Sequence, residues 1–132
     1  MIITVFYAGL LALWFLFLSV LVVTRRRGGI AMGDGGDPRM LRVIRGHANF
    51  TEYVPFILLM MLMLEMARTS IYVLHMLGIL LVVSRVLHGF TFAFTQRFVF
   101  GRVVGASLTF VVLLVCGVLC VMQGIRGMTL TM

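Results

Sequence analysis

This chain reads as an all-α integral membrane protein, a bundle of four helices, on three observations. It has 132 residues, of which 62% are hydrophobic and only 11% charged, whereas a soluble domain carries about 25% charged residues. Four long apolar stretches account for the excess, and each approaches the ~20 residues with which a helix crosses a hydrocarbon core. The turn-forming glycines and most of the charges fall between those stretches. A length of 132 residues supports one transmembrane domain over residues 1–132, with no separate soluble module.

The first helix is predicted over 2–24, because Ile2 to Val23 carries no charge. No basic segment precedes it and Arg25-Arg26-Arg27 follows, the flank of a stop-transfer span and not of a cleavable signal peptide. Tyr7 and Trp14 are expected to face lipid or its interface. Residues 24–40 form a loop rich in turn chemistry, Gly28-Gly29 and Gly33-Asp34-Gly35-Gly36. It is no phosphate loop, since no strand precedes it and no Gly-Lys-Ser follows.

Asp37-Pro38 predicts a helix start, with Asp37 at the N-cap and Pro38 at the first helical position. The second helix then covers 38–67, passing through Pro55 with a kink. Arg68-Thr69-Ser70 makes a short turn, so the third helix, 70–95, lies antiparallel to the second. A loop over Gln96–Gly101 leads to Arg102, which opens the fourth helix, 102–124. Gly101-x-x-x-Gly105 at its start permits close approach of a neighbouring backbone.

All 11 basic residues are arginine, against four acids, for a net charge of +7. They sit at helix ends and inside apolar segments, not interleaved with aromatics on a solvated face, which argues against nucleic acid as a partner. Arg25, Arg26, Arg27, Arg39, Arg42, Arg97 and Arg102 gather around the first and third loops, with only Arg68 and Arg126 opposite. That bias predicts cytoplasmic first and third loops, and termini on the other side. Cys116 and Cys120 have neither a redox nor a zinc spacing and read as small packing residues. The three histidines lack the grouping and acidic partners of a metal site, so no metal is expected.

The chemistry concentrates in Arg45-Gly46-His47-Ala48-Asn49-Phe50-Thr51-Glu52-Tyr53-Val54-Pro55. At about 100° per residue, Arg45, Asn49 and Glu52 share an arc of about 60° on one helix face. Ionisable groups at the edge of hydrocarbon are costly and therefore mark function. Arg85, His88 and Phe92 mark a face at the same end of the third helix, with Arg102 beside them and Arg25–Arg27 closing the first. His47 points roughly opposite Arg45, toward a neighbouring helix or subunit. His75 is a packed or hydrogen-bonded histidine in an apolar face, and Glu65 belongs to the far end. The convergent pocket suits a small anion with several carboxylates and one ammonium, since guanidiniums pair with carboxylates and Glu52 takes the ammonium. Glutathione has that pattern, and an arginine near its thiol would favour the thiolate.

Arg45-x-His47-x-Asn49-x-x-Glu52-Tyr53-x-Pro55, followed by Arg85-x-x-His88 and an arginine opening the fourth helix, resembles the signature of the MAPEG family (membrane-associated proteins in eicosanoid and glutathione metabolism). The glycine loop and short length resemble its small bacterial branch, which implies a bacterial inner membrane. The resemblance implies a homotrimer with glutathione bound between neighbours by Arg45, Asn49, Glu52, Tyr53, Arg85 and His88, joined by His47 and Arg26. Arg102 matches the arginine that activates the thiol, with Arg97 as a rival. Phe92 stands where several members carry a tyrosine, and Ala48 where some carry a further basic residue. The implied activity is a glutathione-dependent transferase or peroxidase for lipophilic electrophiles, serving detoxification. A non-catalytic lipid-binding protein of the same fold is the competing class. A small four-helix exporter is disfavoured, because the first helix carries no carboxylate.

Overall fold

The computed structural model describes residues 2–30, 32–94 and 99–130. Four helices run α1 (Ile2–Arg26), α2 (Pro38–Met66), α3 (Ile71–Phe94) and α4 (Val99–Leu130), each long and apolar enough to cross a membrane. Among the described residues α2 and α3 form the centre, α1 flanks them on one side and α4 on the other, and α1 does not touch α4.

Local chemistry sets the ends. Asp37 caps α2, its carboxylate accepting the Arg39 backbone N–H at 2.8 Å, and Pro38 occupies the first turn, where an N–H would have no partner. α2 continues unbroken through Pro55, and the Thr51 hydroxyl, one turn earlier, donates to the Ala48 carbonyl at 2.7 Å. At its far end Arg68 takes a left-handed φ of 56°. Arg68 N–H then reaches the Glu65 carbonyl at 3.1 Å and Thr69 N–H the Leu64 carbonyl at 3.0 Å. This pair of bonds closes a helix end and reverses the chain within a few residues. α4 differs from the sequence expectation at both ends. It starts at Val99 and continues to Leu130, through Gly124 and Gly127. Glycine lowers helix propensity only by about 1 kcal/mol and no proline stops the run. Arg102 therefore sits a turn inside α4 and does not open it.

The core is an apolar seam. Leu11, Ile57, Met61, Leu64, Leu74, Leu81, Val112 and Cys116 each expose 1% or less of their surface, while residues such as Leu13, Leu16, Ile79, Leu114 and Val121 face outward, as a lipid solvent allows. Cys116 is a buried free thiol, in keeping with a packing role. The small residues of α4 serve contact within the chain: a Cβ on Gly105 would lie 2.8 Å from both the His88 Cβ and the Ser84 carbonyl oxygen, so only glycine lets α4 press against α3 there.

Two aromatic side chains of α1 correct the expectation that they face lipid. Tyr7 is buried and its hydroxyl meets His75 Nδ1 at 2.9 Å. Trp14 is half-buried and donates its indole N–H to the Arg85 carbonyl at 3.1 Å. A polar handle that finds a partner inside the bundle draws the ring with it. At the opposite end Glu65 accepts the backbone N–H groups of Ile3 and Thr4 at 3.0 and 2.9 Å. A carboxylate from α2 thus caps α1, where the helix dipole favours negative charge. Glu65→Gln should lower unfolding stability in detergent by about 1 kcal/mol. An unchanged unfolding midpoint would show that the cap does not hold α1 to α2.

Candidate functional site

The polar groups of α2, α3 and α4 meet at the end of the bundle nearest the first and third loops. Arg45, Ala48, Asn49 and Glu52 from α2, His88 and Phe92 from α3, and Arg102 from α4 line a cleft of about 350 Å³. That lies within the range of small-molecule sites. The helical spacing delivers the α2 set: residues three and four apart project from one face. The cleft holds two guanidiniums, one carboxylate and one imidazole, with Ala48 leaving room between them.

Arg85 stands behind this wall and not in it. It is 2% exposed and carries its charge inside the bundle. Its Nη1 donates to Asn49 Oδ1 at 2.8 Å, and its Nη2 donates to the Gly105 carbonyl at 3.3 Å and to Thr109 Oγ1. The Thr109 hydroxyl in turn reaches Ser84 Oγ at 3.2 Å and the Gly105 carbonyl at 2.9 Å. One guanidinium therefore ties α3 to both α2 and α4. Arginine has no acceptor, so Asn49 must turn its carbonyl oxygen toward Arg85. Its NH₂ is left for the cleft side, where it can donate to a carboxylate or peptide carbonyl. Arg85 Nε has no partner among the described groups.

On the α3 side the rings are layered. The buried His88 imidazole lies 4.8 Å from the Phe92 ring, and the Arg102 guanidinium carbon lies 5.8 Å over the other ring's centroid, that of Phe92. An arginine within ~6 Å of an aromatic face is held by the ring quadrupole. Phe92 thus offers no hydroxyl to a ligand, but its ring positions the exposed Arg102 at the mouth of the cleft.

Other residues singled out from sequence lie elsewhere. His47 turns to α1, its Nε2 3.1 Å from Ser19 Oγ and its ring stacked 4.7 Å from Phe15. Tyr53 packs edge-on against Phe110 at 5.6 Å and belongs to the apolar cluster. Arg26, at the end of α1, takes no part in the cleft within one chain. Arg97 lies outside the described residues. Sequence reasoning passed over Thr109, which accepts from Arg85, and Ser84, which meets the Thr109 hydroxyl. The signal was there: Gly105 and Thr109 stand three and seven residues after Arg102, on its face of an otherwise apolar helix.

Further along the bundle α2 and α4 form an apolar groove of about 760 Å³, lined by Phe56 and Met60 of α2 and by residues of α4 from Phe110 to Met122. Phe56 follows Glu52 by one turn, so groove and cleft are neighbours along α2. With four residues at 1.5 Å each, the step between them is about 6 Å.

Residues 4–122, nearly the whole length, match the model of the MAPEG family. The chain belongs to the MAPEG family. Among curated proteins it is similar to the inner membrane protein YecN of Escherichia coli K12, at 36% identity over 109 residues, covering 82% of each chain. YecN of Escherichia coli O6:H1 matches to the same extent. No solved structure shows significant similarity. Family membership accords with the four membrane-spanning helices of this chain.

The Asn49–Arg85 bond gives a direct test of how the site is built. Asn49→Leu leaves a buried guanidinium short of an acceptor and should destabilise the protein by about 2 kcal/mol. Arg85→Met removes the charge together with its need for partners and should cost less, as apolar replacements of buried ions do. The double variant should be no worse than Asn49→Leu alone. Additive losses in a double-mutant cycle would show that the two side chains are not coupled.

Proposed function

We propose that this MAPEG protein is a glutathione-dependent membrane enzyme, a transferase or peroxidase acting on lipophilic electrophiles. The observation that carries this reading is the succession along α2 of a charged cleft that ends at Glu52 and an apolar groove that begins one turn later at Phe56. Glu52 receives the ammonium of the γ-glutamyl group. Arg45 pairs with a carboxylate as a bidentate fork, and the free NH₂ of Asn49 donates to the peptide. Arg102 stabilises the thiolate, which is the reactive form of the thiol. The thiolate then attacks an electrophile that enters from the bilayer along Phe56, Met60 and Phe110. At carbon the C–S bond forms as the bond to a leaving group breaks. At a peroxide the O–O bond breaks to give an alcohol and a sulfenic acid, which a second glutathione converts to disulfide and water. Arg45 and Arg102 share the lining of the cleft with Glu52, and charges of both signs suit an incoming zwitterion.

Family likeness supports a homotrimer with the cleft shared between neighbours. Arg26, which stands apart from the cleft in one chain, then comes from the adjacent subunit and takes the second carboxylate. The name of the Escherichia coli relatives supports placement in a bacterial inner membrane, and the arginine bias supports cytoplasmic first and third loops.

The test is the thiolate itself. Adding glutathione to the purified protein should produce thiolate absorbance in the ultraviolet at neutral pH. Arg102→Ala should abolish that signal and lower turnover roughly 100-fold, with glutathione affinity largely kept, the pattern of a lost transition-state interaction. If Arg97→Ala gives this result and Arg102→Ala does not, the role belongs to Arg97. If neither variant matters, the apolar groove serves non-catalytic lipid binding instead. Native mass spectrometry of the same preparation should weigh three subunits, and a monomer that still binds glutathione would refute the shared site.

A further inference from the structure

A second cleft lies on the far side of Phe92, between α1, α2 and α3. Arg25, Arg39 and Arg42 converge on it and Phe92, Ala93 and Phe94 wall it, enclosing about 250 Å³. Among the described residues no acidic one lines it. The two loop acids nearest in sequence are turned to backbone: Asp37 accepts from Arg39 N–H at 2.8 Å and Asp34 from Gly36 N–H at 3.2 Å. Loop charge bias decides only which side of a membrane such arginines occupy. It does not require three of them, from two helices, to share one aromatic-walled cleft.

Depth and surroundings identify an occupant. The uncharged run of α1 ends at Thr24, about 33 Å from its start at 1.5 Å per residue, which matches the ~30 Å hydrocarbon core. Arg25 therefore sits at the level of lipid phosphates. Phe94 lines the cleft and also heads an aromatic strip running toward the membrane centre: it lies 4.9 Å from Phe90 and 6.2 Å from Phe17, which stacks on Trp14 at 5.0 Å. Phe17, Phe90 and Phe94 are 38%, 52% and 56% exposed. A cationic cleft thus opens onto an apolar strip that faces the bilayer.

We propose that this cleft binds the phosphate headgroup of an anionic phospholipid, with an acyl chain laid along Phe94, Phe90 and Phe17. Guanidinium forks match phosphate oxygens, and basic pockets between membrane helices suit anionic headgroups. The absence of a carboxylate from the lining selects the anionic class, because a zwitterionic headgroup would bring an ammonium with no partner. The site is separate from the glutathione reading: the two share only Phe92, and this one uses neither Arg45, Glu52 nor Arg102.

The experiment is native mass spectrometry of the full-length protein in detergent, titrated with phosphatidylglycerol or with phosphatidylcholine. The wild type should retain phosphatidylglycerol in preference. R39Q/R42Q should lose that retention roughly 30-fold. R27Q/R126Q, which removes the same charge outside the cleft, should keep it. Inorganic phosphate in excess should fail to displace the lipid, since it lacks the chain that contacts the aromatic strip. Equal retention of the two lipids, equal losses in both double variants, or release by inorganic phosphate would each overturn the proposal.

Discussion

The arrangement of this bundle depends on one buried cation. Arg85 carries a guanidinium into a membrane helix, where an unpaired charge costs several kcal/mol, and its two terminal nitrogens find acceptors without a carboxylate. Its acceptors are an amide on α2, a backbone carbonyl on α4 and a hydroxyl on α4. Each acceptor fixes the distance between α3 and a neighbour. Gly105 makes the α4 contact possible twice over, by offering its carbonyl and by having no Cβ to collide with His88. The same bond orients Asn49, so the shape of the polar cleft follows from how the membrane charge is satisfied. The packing of the bundle and the shape of the candidate site here draw on one set of atoms.

Phe92 has a comparable double role at the loop end. It separates the α2–α4 cleft from the all-arginine cleft beside α1, touching both. Its ring lies between His88 and Arg102, and its Cβ approaches Gly46 so closely that a side chain there would lie 2.9 Å away. A tyrosine at this place would bring a hydroxyl to a ligand. The phenylalanine gives a flat, apolar surface that holds a cation by its face. Cations are thereby divided into two groups with different surroundings: one shares its cleft with Glu52, the other has no acid in its lining. The first lining carries charges of both signs and the second only positive ones.

Much of the architecture was legible from the residues because the bilayer leaves few choices. Uncharged runs of more than 20 residues must be helices, and Asp37-Pro38 announces where α2 begins. The shared face of Arg45, Asn49 and Glu52 needs only the helical period. What was not legible depended on long-range partners. Nothing local distinguishes Trp14 as a donor to Arg85, 71 residues away, from a lipid-facing tryptophan. His47 lies within the signature but turns to Ser19 and Phe15 of α1, a direction set by packing and not by periodicity. The reach of α4 to Leu130 was hidden by glycines that a soluble helix would avoid. Arg102 consequently lies deeper in its helix than its position beside Gly101 indicated.

Whether the cleft of Arg45, Asn49, Glu52 and Arg102 takes glutathione is tested most directly by calorimetric titration. Glutathione added to the purified wild-type protein should show saturable binding. Glu52→Gln keeps the side-chain shape and removes the charge that meets the ammonium. It should weaken binding about 10- to 100-fold, the range of a charge-assisted hydrogen bond. Equal affinity in the wild type and in Glu52→Gln, or no binding to either, would contradict the assignment.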